Sequence, residues 1–259
     1  MIRKHIGKWL MLAICALPVI GSCKAIKNNE KKNMKTEEVK LANQNDLVFY
    51  VKFQLKPKYV GDFRKSLLEL AETMSHEETF VSTFLHIDPN DSTKYTIYER
   101  WNEPTMEDFF KKQLKGKAYR DYYESHIEEW SATTRAISVL KPMQHWVSKT
   151  LESSNNDLTF KVDFHIKVDK IEAWKEELMH VLNSMASEDT FVAAFLHQDT
   201  EDPTKFTIYE RWAEKSIEDF KANHLQAKEY RKTYEEHIAE YSASPRDIQV
   251  LNPINSWVK

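Results

Sequence analysis

Four histidines stand at repeated positions in the sequence and could do acid–base chemistry. His86 returns as His197, and His126 returns as His237, each about 111 residues later. Imidazole titrates near neutral pH, so either pair could supply a general base. The alternative for both pairs is a structural histidine that is tied to a neighbouring carbonyl or carboxylate group.

The histidines on the second helical segment could also bind a metal ion. His126 precedes Glu129 by three residues, and His237 precedes Glu240 in the same way. This spacing puts the imidazole and the carboxylate on one helix face, where a divalent cation could use both with further ligands. A solvated ion pair or hydrogen bond is the alternative that we favour, so no metal site is predicted.

Aromatic residues recur in the repeated segment TIYERW. Trp101 and Trp212 end this segment in the two copies and could form the wall of a pocket for an aromatic substrate. Packing in a core is the alternative for a strand tryptophan. Tyr98 and Tyr209 lie on the opposite strand face. They could hydrogen-bond a substrate oxygen or fill an interface between two sheets.

These residues recur because most of the chain is duplicated. Residues 46–148 align with residues 157–259 without insertion or deletion, and roughly 47 of about 103 positions are identical. A repeat of this length is a small domain and not a stacking unit. We therefore predict two domains, 46–148 and 157–259, joined by the polar segment Leu151–Asn156. Two such domains can pack around a pseudo-two-fold axis, as in a homodimer.

Each copy has the pattern of a ferredoxin-like α+β domain. Alternating apolar residues predict strands, and apolar residues at helical spacing predict helices, in the order β-α-β-β-α-β. Helices should cover one face of each sheet, and the other copy should cover the second face. In the first copy we predict strands at Leu47–Leu55, Phe80–Ile87, Tyr95–Trp101 and Arg135–Leu140, the last ended by Pro142, and helices at Tyr59–Met74 and from Pro104 to Trp130 with a break near Gly116.

Charge and glycine content exclude two classes of partner. The net charge is −3, so the chain lacks the basic excess with which proteins neutralise nucleic-acid phosphates. The chain has only four glycines, and none of them are clustered in a loop that could cradle a phosphate group. We therefore expect neither nucleic acid as a partner nor a nucleotide cofactor.

The beginning of the chain predicts export and anchoring. A basic stretch precedes an apolar run that ends at Gly21-Ser22-Cys23. This pattern resembles a bacterial lipoprotein signal, in which residues 1–22 are removed and Cys23 is lipidated. An ordinary secretory signal is the alternative. Residues 23–45 are polar and form a flexible tether. We expect a lipid-anchored protein that faces the periplasm or the cell exterior.

The two copies resemble the antibiotic biosynthesis monooxygenase domain of the dimeric α+β barrel superfamily. The resemblance rests on the Glu-Glu-Thr-Phe or Glu-Asp-Thr-Phe segment before the second strand. It also rests on the Tyr-Glu-Arg-Trp segments at Trp101 and Trp212, and on the acidic helix that leads to a Tyr-rich one. It implies an intramolecular dimeric α+β barrel, with further oligomerisation left open. Many members are cofactor-independent oxygenases of polyphenols or quinols, and others degrade heme or have no known activity.

The resemblance also implies where the chemistry lies. A base in a dry aromatic pocket would deprotonate an electron-rich phenol, which then reacts with dioxygen without a cofactor. Many members carry His-Leu where this chain has His224-Leu225, whereas the first copy has Gln113; His165 likewise replaces Gln54. Imidazole can take a phenolic proton, and a glutamine amide cannot. We therefore expect activity mainly in the second copy with His224 as base, an unconstrained helix-surface position being the alternative.

Two other functions fit the same sequence. The chain could be a non-catalytic lipid-anchored protein that binds an apolar ligand or a protein partner. Heme oxygenation is disfavoured because the ligand histidine of heme-degrading relatives falls on Tyr119 and Tyr230, and their second tryptophan falls on Phe109 and Phe220. Tyrosine can nevertheless ligate heme iron. Tyr230 is retained as a candidate substrate-binding residue.

Overall fold

The computed structural model describes residues 45–259. The predicted signal peptide, the predicted lipidation site Cys23 and the tether up to residue 44 lie outside the described residues. Within residues 45–259, no helix combines the length and the apolar character that a membrane crossing requires.

The first repeat has the predicted β-α-β-β-α-β order, with an interrupted second helix. Thr105 is the N-cap of that helix, since its Oγ1 accepts the Asp108 N–H at 3.0 Å; the first helical residue is Met106, so the predicted start at Pro104 is two residues too early. Gly116 lies in the break with a φ of +75°, which favours glycine. The elements are β1 (Leu47–Gln54), α1 (Val60–Met74), β2 (Phe80–Asp88), β3 (Asp91–Trp101), α2 (Met106–Phe109), a first π-helical segment (Phe110–Leu114), α3 (Ala118–Trp130) and β4 (Ala136–Val147).

The second repeat has the same elements in the same order. Short 3-10 turns precede the long first helix in both repeats. The elements are β5 (Leu158–Ile166), α4 (Ile171–Met185), β6 (Phe191–Asp199), β7 (Lys205–Trp212), α5 (Ile217–Phe220), a second π-helical segment (Lys221–Gln226), α6 (Glu229–Tyr241) and β8 (Ser242–Val258).

The eight strands form one closed antiparallel barrel. Their order around the barrel is β1-β3-β2-β8-β5-β7-β6-β4. The last strand of each repeat joins the two halves, because β4 pairs with both β1 and β6, and β8 pairs with both β5 and β2. The predicted intramolecular α+β barrel is therefore confirmed, and closure leaves no free strand edge.

The predicted end of the last strand at Pro142 is wrong. β4 continues to Val147, and Pro142 pairs with His197 next to a register shift before Gln144. Proline has no N–H to donate, but a bulge leaves a residue outside the regular hydrogen-bond ladder and so tolerates it. Pro253 lies next to a similar shift in β8. The strand thus bends at the proline and crosses to the other repeat.

Apolar side chains lie in three separate clusters. The alternating residues Phe49, Val51 and Phe53 of β1 pack under α1 and α3 on the outer face of the sheet, and β5 does the same under α4 and α6. A third cluster, which includes Tyr98 and Tyr209, fills the barrel. The apolar face of the first strand therefore supports the helices, and the opposite face meets the other repeat.

One prediction concerns the strand that joins the repeats. Trp146 of β4 lies in the core of the second repeat, is 9 % exposed and donates Nε1–H to Asn183 Oδ1 at 2.8 Å. Trp146→Ala should lower the free energy of unfolding by about 3–5 kcal/mol, because a large buried side chain is removed. Trp257→Ala is the matched control and should cost less, since Trp257 is only half-buried. Urea unfolding measures both; equal losses would contradict this account.

Candidate functional site

The centre of the barrel is occupied by two stacked tyrosines. Tyr98 and Tyr209 lie parallel, with ring centroids 4.7 Å apart and an angle of 1° between the rings. The Tyr98 hydroxyl lies 2.9 Å from His197 Nε2, and the Tyr209 hydroxyl lies 2.7 Å from His86 Nε2. All four side chains are at most 1 % exposed. Of the two roles considered for these tyrosines, the geometry gives them the interface between the sheets.

Burial fixes the protonation of this group. The pKa of His86 and that of His197 are both lowered to about 3, mainly by desolvation. The Arg211 guanidinium group contributes to the lowering at His86, and the Arg100 guanidinium group contributes at His197. Both rings are therefore neutral at neutral pH, and each Nε2 accepts the tyrosine O–H. Desolvation also raises the pKa of Tyr98 to about 12 and that of Tyr209 above its usual value. Both tyrosines therefore keep their hydroxyl protons at neutral pH. None of these four side chains lines either of the cavities described below.

A buried ion pair lies near each tyrosine of this stack. Arg100 Nη2 lies 3.4 Å from Asp46 Oδ2, and Arg211 Nε lies 3.1 Å from Asp157 Oδ2. Each guanidinium group also lies over a phenylalanine ring of the other repeat. Arg100 lies 5.6 Å from the centroid of Phe195, and Arg211 lies 5.1 Å from the centroid of Phe84. The interior of the barrel is thus filled by side chains that pair across the two repeats.

The second pair of predicted histidines lies on the outer helices. His126 donates Nδ1–H to the Tyr122 carbonyl at 2.7 Å and stacks on Trp130. His237 Nδ1 lies 2.8 Å from Glu177 Oε1, and this hydrogen bond raises the pKa of His237. In the part of the chain that the structure describes, no group of three or more His, Cys, Asp or Glu side chains is placed to hold a metal ion.

Each repeat contains a cavity between its helices and the outer face of the sheet. The cavity of the second repeat measures about 160 Å³ and that of the first about 90 Å³. Apart from Lys221, every residue that lines the second cavity has its counterpart in the lining of the first. An apolar protein cavity of about 150 Å³ holds a benzene molecule. The second cavity is therefore large enough for a single aromatic ring.

A buried carboxylate lies at the polar end of each cavity. Glu210 of β7 points toward the helices, since it alternates with the interior residues Tyr209 and Arg211, and it is 9 % exposed. Desolvation raises the pKa of Glu210, and the nearby Arg231 guanidinium opposes that rise. The same causes act in the same order on Glu99 in the first cavity.

A buried guanidinium with free donors faces the same space. Arg231 is 7 % exposed, and its Nε and Nη2 atoms have no hydrogen-bond partner; the same two atoms of Arg120 are unpartnered in the first cavity. A desolvated N–H group without an acceptor costs free energy, and more so on a charged group. The arrangement therefore favours a ligand that brings an anionic oxygen to Arg231.

Two further residues complete this polar end. The Tyr234 hydroxyl accepts the Trp174 Nε1–H at 3.1 Å, so its own hydrogen is left to donate. Arg246 is held by Glu235 through two hydrogen bonds of 3.0 and 2.6 Å. Tyr123, Arg135 and Glu124 occupy the same places in the first cavity. The cavity can thus accept a proton, bind an anion and donate a hydrogen bond.

Four other predicted residues are held by packing or by hydrogen bonds to carboxylate groups. Trp101 and Trp212 are fully buried, and Trp212 donates Nε1–H to Glu210 Oε2 at 3.2 Å. The Tyr230 hydroxyl donates to Glu188. His224 is 4 % exposed and hydrogen-bonds to carboxylates. None of these four side chains lines a cavity among the described residues.

The sequence carries a signal for the carboxylate and the guanidinium group. Glu99, Arg120 and Arg135 are each identical in the second copy, and Glu99 shares a strand face with Trp101. A charged residue that recurs on the apolar face of a strand predicts a buried, functional charge. Histidine is the more obvious candidate for a base in the sequence, because its ordinary pKa lies near neutrality.

Comparisons with known proteins agree on the fold. The antibiotic biosynthesis monooxygenase family model matches residues 47–125 and 160–236. A provisionally described monooxygenase from Fusobacterium nucleatum superposes with a TM-score of 0.69, at 15 % identity over 83 % of this chain and 94 % of its own. A provisionally described monooxygenase from Lactobacillus acidophilus superposes with a TM-score of 0.66, at 13 % identity over 83 % of this chain and 96 % of its own. An anthrone oxidase-like protein superposes with a TM-score of 0.59, at 15 % identity over 82 % of this chain and 92 % of its own. No curated protein sequence matches the chain.

A pH dependence of stability follows from the two neutral histidines. The unfolded chain protonates them below about pH 6.5, whereas the folded chain resists protonation down to about pH 3. The unfolded state therefore binds more protons in this window. The free energy of unfolding should fall as the pH is lowered, by about 1.4 kcal/mol per pH unit for each histidine.

The variant His86→Gln/His197→Gln tests this assignment. It keeps polar side chains beside both tyrosines but removes the two titrating groups. Urea unfolding at pH 7, 5 and 4 should give the variant a shallower pH dependence than the wild type. Equal slopes would show that the two histidines are not buried in the neutral form.

Proposed function

The chain belongs to the antibiotic biosynthesis monooxygenase family, and from that premise we propose that it oxygenates a single-ring phenol or hydroquinone in the cavity of the second repeat. One observation carries the proposal. A buried carboxylate, Glu210, and a buried guanidinium with two unpartnered nitrogens, Arg231, face the same ring-sized apolar cavity. Dioxygen is the second substrate.

Glu210 is the proposed general base. Burial raises its pKa above the usual carboxylate range, which brings the group closer to the pH at which a base works best. The indole N–H of Trp212 fixes one of its oxygens. The carboxylate takes the phenolic proton of the bound ring, and the phenolate that forms is more electron-rich than the phenol.

Arg231 is the proposed anion-binding group. Its free Nε and Nη2 atoms donate to the phenolate oxygen as charge develops there, in a site from which apolar walls exclude water. The Tyr234 hydroxyl has a hydrogen to give to a second ring oxygen. These interactions are stronger for the anion than for the neutral phenol, so they lower the barrier to its formation.

The remaining chemistry takes place between the ring and dioxygen. The phenolate passes one electron to dioxygen, and the two radicals combine at a ring carbon to give a peroxide, which takes back the proton held by Glu210. Loss of water, which also removes the hydrogen of that ring carbon, leaves one oxygen atom on the ring as a quinone carbonyl. The ring supplies all the electrons, so no external reductant is required. We therefore propose a cofactor-independent reaction. A porphyrin is much larger than the cavity, which disfavours the heme-degrading alternative.

The second cavity is preferred for its size and access. Leu225 and Ile248 line it and are 40 % and 51 % exposed, so they form a mouth at the surface. Their counterparts in the smaller first cavity, Leu114 and Ile137, are less exposed. This supports the expectation that the second repeat is the more active one, with Glu210 in place of His224 as the base.

The Glu210→Gln variant tests the proposed base. It keeps the shape of the side chain but cannot take a proton, so the rate of oxygen consumption with hydroquinone should fall by about 10²–10⁴. Glu99→Gln is the matched control and should have a much smaller effect. Full activity in Glu210→Gln would exclude this base. A wild-type chain that binds phenols but consumes no oxygen would favour the non-catalytic binding protein.

We also propose that the mature protein is anchored by lipid at Cys23 and faces away from the cytoplasm. The motif that ends at this cysteine supports the proposal. Cys23→Ala should move the protein from the membrane fraction to the soluble fraction, as detected by immunoblotting after cell fractionation. Retention of the variant in the membrane fraction would exclude lipid anchoring at this residue.

A further inference from the structure

We propose that His224 is a positioning residue that fastens the second π-helical segment over the mouth of the second cavity. The ring is clamped between Glu188 and Glu214, and we refer to these three side chains as the latch. The proposal rests on the use of the second cavity as a ligand site. It does not require that the bound ligand be turned over.

The latch ties three parts of the second repeat together. His224 Nε2 lies 2.6 Å from Glu214 Oε1 and 3.0 Å from Thr190 Oγ1, and Nδ1 contacts Glu188 Oε2. Glu188 follows α4, Glu214 follows β7, and His224 lies in the π-helical segment. The carboxylate side chains are 6 % and 7 % exposed, so these hydrogen bonds are shielded from water.

The latch sets a carboxyl group against each nitrogen of the ring. The two nitrogens of an imidazole lie on different sides of the ring, so a single histidine can bridge two acceptors. A glutamine has both of its donor hydrogens on one nitrogen, so it cannot reproduce the contacts on both sides of the ring. The charged and titratable groups around the ring are Glu188, Glu214, Glu210, Lys228, Tyr230 and Arg231.

The segment that the latch holds forms part of the mouth. Lys221 and Leu225 both lie in this segment and line the cavity, and Leu225 is 40 % exposed at its rim. π-helical turns are less favourable than α-helical ones and are common at functional sites. Release of the latch would free the segment to move, and Leu225 would then leave the mouth.

The first repeat provides an internal comparison. Gln113, at the position of His224, donates Nε2–H to Glu103 at 3.0 Å and to Thr79 at 2.8 Å. The carboxylate that corresponds to Glu188 is Glu77, and Lys117 binds both of its oxygens at 2.7 Å. The first π-helical segment is thus fastened without a histidine. The histidine is a feature of the larger, open cavity.

The test follows the release of 4-fluorophenol by ¹⁹F NMR. The bound signals of the two cavities are assigned from their loss in Arg120→Met and Arg231→Met. In His224→Gln, release from the second cavity should be about tenfold faster or more, since the contact with one of the two carboxyl groups is lost, while release from the first cavity is unchanged. Gln113→His is the matched control and should leave release from the second cavity unchanged.

A second variant and a second measurement test the latch even if His224→Gln fails to fold or if 4-fluorophenol does not bind. Glu188→Gln keeps the ring and the volume of the latch, and it should also speed release and amide hydrogen exchange at residues 221–226. Unchanged release and unchanged exchange in both variants would overturn the latch. Absence of oxygen uptake would overturn only the oxygenase.

Discussion

The structure depends on the polar contacts that cross the barrel between the two tyrosines and the two histidines. Each tyrosine hydroxyl finds its acceptor in the other repeat, so neither sheet can bury this face alone without leaving polar groups unpaired. The stacked rings fill the remaining space. Because this face is used for joining the repeats, the apolar faces of both sheets are left to the helices. The two cavities form under those helices.

Sequence periodicity predicted the strands and the helices, and the duplication together with the family resemblance predicted the barrel, but none of these identified the inner face of the sheets. Alternation shows that Phe49 and Val51 share one face of β1 and that Tyr50 lies on the other; it does not show which face meets the other repeat. The apolar face would be the natural choice for an interface, yet it packs under helices. The bulge at Pro142 was also invisible, since it depends on pairing with a strand of the other repeat.

The candidate site was harder to predict because burial reverses the ordinary order of proton affinities. Histidine is the usual base near neutral pH, but desolvation lowers the pKa of His86 and His197 to about 3. The same effect raises the pKa of Glu210. The sign of each shift follows from whether the charged form is cationic or anionic, which the residue type gives. Its occurrence follows from burial, which only the folded chain reveals.

The fusion of both halves into one chain has an evolutionary consequence. In a homodimer every substitution occurs at two symmetry-related places, so a change that improves one site is imposed on the other. Here Gln113 and His224 occupy equivalent places with different side chains, and Ala71 faces one cavity where Leu182 faces the other. A single mutation can therefore alter one half while its twin keeps the ancestral task. The duplicated gene gives selection two independently adjustable sites on one scaffold.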